Sequence, residues 1–133
     1  MVIDTSAIIA IIFLESDAEI FSRILAGTPG KLISAATRLE CASVLLARKP
    51  LHGLAFLDEL LSETYVETVA FDENQLAFAI EARRTFGRGT GHRAALNLGD
   101  CFSYALAKSL DLPLLFKGTD FIHTDIRAAI STQ

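Results

Sequence analysis

Met1-Val2-Ile3-Asp4-Thr5-Ser6-Ala7-Ile8-Ile9-Ala10-Ile11-Ile12-Phe13-Leu14 is the stretch that decides the fold. Val2-Ile3 reads as a short strand, and Thr5 or Ser6 can cap a helix running through Leu14. An acid, Asp4, stands at the joint. The same kind of alternation recurs along the chain. Residues 31–33 read as a second strand, with Ser34 as cap of a helix over 34–47 that Pro50 closes. The β-branched run 65–69 reads as a third strand, followed by a helix over 72–86. Residues 113–116 read as a fourth, preceded by an amphipathic helix over 100–110. Strands alternating with helices predict an α/β fold whose mainly parallel sheet is covered on both faces.

The remaining segments fill in that frame. Residues 15–26 predict a helix with Ile20, Phe21, Ile24 and Leu25 on one face. Gly27-Thr28-Pro29-Gly30 is a turn. In the helix over 34–47, Leu39, Ala42, Ser43 and Leu46 form the expected inward stripe. Residues 52–61 predict another helix, in which Phe56, Leu57, Leu60 and Leu61 are core or subunit-interface positions. Phe102, Ala105 and Leu106 are the inward positions of the helix over 100–110. Residues 117–124 form a loop, and Thr124 or Asp125 is placed to cap a last short segment. No linker, repeat or low-complexity stretch interrupts the chain, so residues 1–133 are expected to form a single domain.

Asp4, Glu40, Asp100 and Asp120 carry the chemical argument. Each lies just past an expected strand or near the start of a helix. In open α/β sheets those points converge at the carboxyl edge. Taken singly, each has an ordinary explanation: Asp4 as a helix cap, Glu40 as a solvated helix residue, Asp100 as a first-turn anion that the helix dipole favours, Asp120 as a loop acid. Together they place four carboxylates on one edge. Such crowding is costly unless a cation neutralises it, which points to a divalent-metal hydrolase.

The totals bound the answer. With 133 residues the chain can bury one core, and its apolar content of 51% is that of a compact globular protein. A net charge of −4 argues against a broad electrostatic nucleic-acid binder, though not against an enzyme whose site acids are met by cations. The longest apolar run, 7–14, is far below the ~20 residues that span a bilayer, so no membrane association is expected. No basic segment precedes Asp4, so the opening does not read as a signal peptide, and the expected compartment is the cytoplasm. Cys41 and Cys101 each follow a site acid. Their thiols should point ~100° away from those acids on a helix and behave as small buried hydrophobes. A disulfide is not expected in a reducing compartment.

Four blocks of sequence carry a family resemblance. They are Val2-Ile3-Asp4-Thr5-Ser6-Ala7; Ser34-Ala35 with Leu39-Glu40; Leu98-Gly99-Asp100-Cys101; and Leu112-Pro113-Leu114-Leu115-Phe116-Lys117-Gly118-Thr119-Asp120-Phe121. In this order and spacing the chain resembles PIN-domain ribonucleases of the VapC toxin type. The resemblance implies a three-layer α/β/α sandwich with Asp4, Glu40, Asp100 and Asp120 as catalytic acids. It implies Mg²⁺ or Mn²⁺ as cofactor, with Asp4 and Asp100 among the metal ligands and Ser6, beside Thr5, supporting the site. Asp125 stands in the same loop as Asp120 and is the alternative fourth acid. The resemblance also implies RNA as substrate, a homodimer and a cognate VapB-type antitoxin. One or two such ions can activate water and stabilise a leaving oxygen, so products should carry 5′-phosphate and 3′-hydroxyl ends.

Arg83, Arg84, Arg88, His92 and Arg93 cluster around Gly87-Arg88-Gly89-Thr90-Gly91. Arg84, Arg88 and Arg93 are candidates to hold RNA phosphates. The plainer reading is a solvated helix end. The glycines form no P-loop, since no Gly-Lys-Ser/Thr follows. Lys117 either touches phosphate or pairs with a site acid. His52 and His123 lack metal-spaced partners and read as surface residues. A receiver domain would need an acidic pair at the first strand, and a haloacid-type phosphatase Asp-x-Asp, where this chain has Ser6. A degenerate domain that only binds a partner has no use for the intact set of acids.

Overall fold

A computed structural model describes residues 1–130. Four short strands, β1 (Val2–Ile3), β2 (Leu32–Ser34), β3 (Glu67–Val69) and β4 (Leu114–Leu115), form a sheet in the order β3-β2-β1-β4 with every pairing parallel. Two helices follow β1, α1 (Thr5–Ile12) and α2 (Ala18–Gly27). Two follow β2, α3 (Ala35–Arg48) and α4 (Gly53–Glu63), and two follow β3, α5 (Glu73–Phe86) and α6 (Leu98–Leu110). A 3₁₀ turn, Phe121–His123, follows β4.

Alternation within the strands builds the three layers. Successive strand residues point to opposite faces. Val2, Leu32 and Leu114 join one core with α5 and α6, while Ile3, Ile33 and Leu115 join the other with α1 to α4. Val2, Ile3, Ile33, Leu114 and Leu115 are fully buried, each contributing roughly 1.5–3 kcal/mol of apolar transfer. The chain steps from β1 to β2 to β3 in one direction. It then returns across the sheet through α5 and α6 to place β4 on the other side of β1. The direction reverses at β1, which creates the crevice where open α/β sheets bind ligands.

Several expectations are corrected. The inward stripe of α3 is Thr37, Cys41 and Leu45, whereas Leu39 and Leu46 are 70% and 53% exposed and Ser43 faces solvent. Glu40 faces the crevice, and that rotation fixes which neighbours turn inward. The first helix stops at Ile12, because Leu14 adopts a left-handed conformation (φ 53°) and Glu15 N–H donates back to Ala10 O. The second helix therefore begins at Ala18, and Ile20 on its expected inner face is 56% exposed. Tyr65 is likewise left-handed and exposed, so β3 begins only at Glu67. Asp125 caps no segment: its carboxylate accepts from Tyr104 Oη at 2.7 Å and Lys108 Nζ at 2.9 Å, fastening the C-terminal stretch to α6. Both cysteines are free and buried, and burial pushes the Cys41 thiol up to about 12. No helix among the described residues is long and apolar enough to cross a membrane.

Candidate active site

Asp4 emerges from β1 and caps α1, with Oδ2 accepting from Ser6 N at 3.0 Å and Ser6 Oγ at 2.6 Å. Its other oxygen accepts from Ser103 Oγ of α6. Ser6 Oγ in turn accepts from the backbone N–H of Lys117 at 2.9 Å, which ties the loop after β4 to the same point. Asp4 is thus 3% exposed and fixed by groups from three elements.

Glu40 projects from the second turn of α3, and its Oε1 accepts from Thr5 Oγ1. Its carboxylate lies over the backbone of Gly99. A Cβ at position 99 would overlap Glu40 Oε2, so any larger residue there would push the Glu40 carboxylate out of this position. Asp100 is held by a reciprocal cap at the start of α6. Asn97 Oδ1 accepts from Asp100 N, and Asp100 Oδ2 accepts from Asn97 N, both at 2.9 Å. Asp120 precedes the 3₁₀ turn and stands exposed at the rim.

These side chains share one open cleft of about 370 Å³, lined by Asp4, Thr5, Ser6, Ile9, Glu40, Val44, Arg48, Asn97, Asp100 and Asp120. Burial, reinforced by repulsion from Asp4, Asp120 and Glu40, pushes the Asp100 carboxyl up to about 7. The backbone bond from Asn97 opposes that rise without cancelling it. Burial also raises Glu40, with Asp4 adding to the effect and the Thr5 hydroxyl opposing it.

The donor set is all oxygen and carries excess negative charge, which suits a hard divalent cation. Among the described residues no three acidic, histidine or cysteine side chains enclose an ion on their own. The fit is therefore to an ion such as Mg²⁺, which takes one or two carboxylates and keeps several waters. Asp4 and Asp100, the two most buried acids of the cleft, could hold such an ion.

The structure brings Asp4, Thr5, Ser6, Glu40, Asp100 and Asp120 together and leaves Asp125 outside. Lys117 does not pair with an acid of the cleft: its Nζ pairs with Glu15 at 2.6 Å and Asp17 at 3.4 Å. Arg84 pairs with Glu81, and Arg84, Arg88 and Arg93 do not line the cleft. His52 stands at the start of α4 and His123 at the end of the 3₁₀ turn, and neither lines the cleft. Sequence reasoning missed Asn97, Ser103 and Arg48. Asn97 precedes Asp100 by three residues, the spacing of a capping box. Ser103 follows Asp100 by three and Arg48 follows Glu40 by eight, both spacings that keep a helix face.

The sequence matches the PIN domain family over residues 1–127. It is 49% identical to ribonuclease VapC30 of Mycobacterium tuberculosis over 126 residues, covering 95% of each chain. Against ribonuclease VapC28 of the same organism it is 47% identical over 134 aligned positions, covering all of both. Against ribonuclease VapC42 it is 43% identical over 129 residues, covering 97% of this chain and 98% of the other. The crystal structure of VapC20 from M. tuberculosis superposes with a TM-score of 0.73, covering 94% of this chain and 95% of that one at 15% identity. That likeness independently supports the fold. By its sequence matches and its architecture, the chain belongs to the PIN-domain family and, within it, to the VapC ribonucleases.

Proposed function

We propose that this protein is a metal-dependent endoribonuclease and the toxin of a VapB–VapC type pair. The observation that carries the chemistry is the convergence of Asp4, Glu40, Asp100 and Asp120, from four separate stretches of chain, on one cleft. Family membership supplies RNA as the substrate class. Mg²⁺ or Mn²⁺ bound there supplies water activation and charge neutralisation at the phosphodiester.

The chain's own groups do the rest. Ser6 and Ser103 hold Asp4 in one orientation, and Asn97 does the same for Asp100, so neither ligand must be ordered on binding. Thr5 occupies one oxygen of Glu40. The other, Oε2, accepts no hydrogen bond among the described residues and lies against the Gly99 backbone, and burial raises the carboxyl, which suits Glu40 to the role of general base. Asp120 at the rim adds negative charge where the cation enters. Attack by water releases a 3′-hydroxyl and leaves a 5′-phosphate. Arg84, Arg88 and Arg93 lie outside the cleft and serve as more distant phosphate contacts along the RNA. A cognate VapB-type antitoxin, a homodimer and a cytoplasmic setting complete the reading.

RNA-end sequencing after brief induction tests it. Wild type should generate new 5′-phosphate ends in a narrow set of sequences, and Asp4→Asn should generate none. EDTA should abolish cleavage by the purified protein and Mn²⁺ should restore it. Full activity after metal removal would overturn the assignment.

A further inference from the structure

Glu40, Val44 and Arg48 are spaced four residues apart on α3, so they form one stripe, and all three line the cleft. Arg48 is the only lysine or arginine in that lining. A cation beside four carboxylates would ordinarily pair with one. Among the described residues Arg48 has no carboxylate within 4.0 Å, although Arg23, Arg38, Arg84, Lys108, Lys117 and Arg127 each have one. Instead its guanidinium lies 3.9 Å above the ring of Phe13, just past the end of α1. A guanidinium resting on an aromatic face keeps its in-plane N–H donors free for a phosphate, and it gives up little side-chain freedom on binding.

We infer that Arg48, braced on Phe13, is a substrate-binding residue that grips an RNA phosphate next to the one under attack. Eight residues at ~1.5 Å rise place its Cα about 12 Å along α3 from that of Glu40, which puts the head group at the end of the cleft, away from the acids. The carboxylates attract metal while repelling the polyanion. Arg48 offsets that repulsion on the path the RNA backbone must follow. Arg48 stacks on Phe13 and makes no ion pair with an acid among the described residues, so it is not an internal counter-ion. The inference rests on the ribonuclease reading above and specifies how that site holds its substrate.

The test uses the full chain and a labelled single-stranded RNA containing a mapped cleavage site. Cleavage is measured across salt concentrations for wild type, Arg48→Ala, Arg48→Lys and Phe13→Leu. Arg48→Ala should raise KM about tenfold with a smaller change in kcat, and should flatten the log–log salt slope by about 0.7, the value for one phosphate of a single strand. Arg48→Lys should restore the salt slope but only part of KM, because a point charge lacks the planar fork. Phe13→Leu should raise KM and leave the salt slope unchanged. All variants should keep the wild-type thermal shift on adding Mn²⁺. An unchanged KM and salt slope in Arg48→Ala, with wild type active, would overturn the inference alone. Absence of metal-dependent cleavage by wild type would overturn the ribonuclease reading instead.

Discussion

Replacing Asp100 by asparagine should stabilise the metal-free protein while abolishing its activity. Asp100 is buried beside Asp4, Glu40 and Asp120, and its carboxyl is pushed from the ordinary 3.8 to about 7. At 1.36 kcal/mol per pH unit, ionising it in the folded state costs on the order of 4 kcal/mol. Water enters the open side of the cleft and screens part of this, which leaves about 2 kcal/mol. The folded chain holds this proton more tightly than the unfolded chain does. Metal-free wild type therefore loses stability as pH rises from about 4 through about 7, and the full cost applies above that window. Asparagine has nearly the same shape, can still accept from Asn97 N, and carries no charge. For a chain of this length the Tm of EDTA-treated Asp100→Asn should exceed that of wild type by about 6 °C at pH 8, and the two should coincide near pH 4. Differential scanning calorimetry with and without Mn²⁺ measures both effects. Mn²⁺ should raise wild type at pH 8 and leave the variant nearly unmoved. Equal Tm values for the two metal-free proteins at pH 8 would refute the claim that burial, reinforced by the neighbouring acids, penalises a charged Asp100.

Other outcomes are as specific. Gly99→Ala should cut the cleavage rate at least tenfold with little loss of Tm, because the new methyl displaces the Glu40 carboxylate while alanine improves helix propensity by ~1 kcal/mol; parallel kinetics and thermal melts check this. Ile33→Ala, at a fully buried strand position, should cost about 2–5 kcal/mol in urea unfolding. Alanine at Arg84, Arg88 and Arg93 together should weaken RNA binding and its salt dependence without changing the Mn²⁺ requirement, as read by anisotropy titration. Expression of the protein alone should arrest growth, and co-expression of its antitoxin should relieve the arrest, scored by colony counts.

The sheet was legible because its strands are punctuated by turn residues, and β1, β2 and β3 each lead into a helix capped by a side chain. Ser34 caps α3 and Asp72 caps α5 as their local chemistry requires. The clustered acids were legible because the crevice lies where the strand order reverses. The inner face of α3 was not, since Leu39 and Leu46 are more apolar than Thr37 and offer the stronger hydrophobic signal. What decides the rotation of α3 is the long-range pairing of Glu40 with Thr5 and its approach to Gly99, which no local window contains. The acid partners of Lys117 were hidden for a related reason. Glu15 and Asp17 lie about a hundred residues away, in a turn that a helix over 15–26 would have hidden.

Asp4 is locked by Ser103, and Ser6 by the backbone of Lys117, contacts that span 99 and 111 residues. β1 also finds its β4 neighbour only at Leu114 and Leu115. During synthesis, the earliest residues of the cleft must wait for nearly the whole chain before their neighbours exist. A partly translated chain therefore carries no assembled cleft, and fragments released by premature termination are inert.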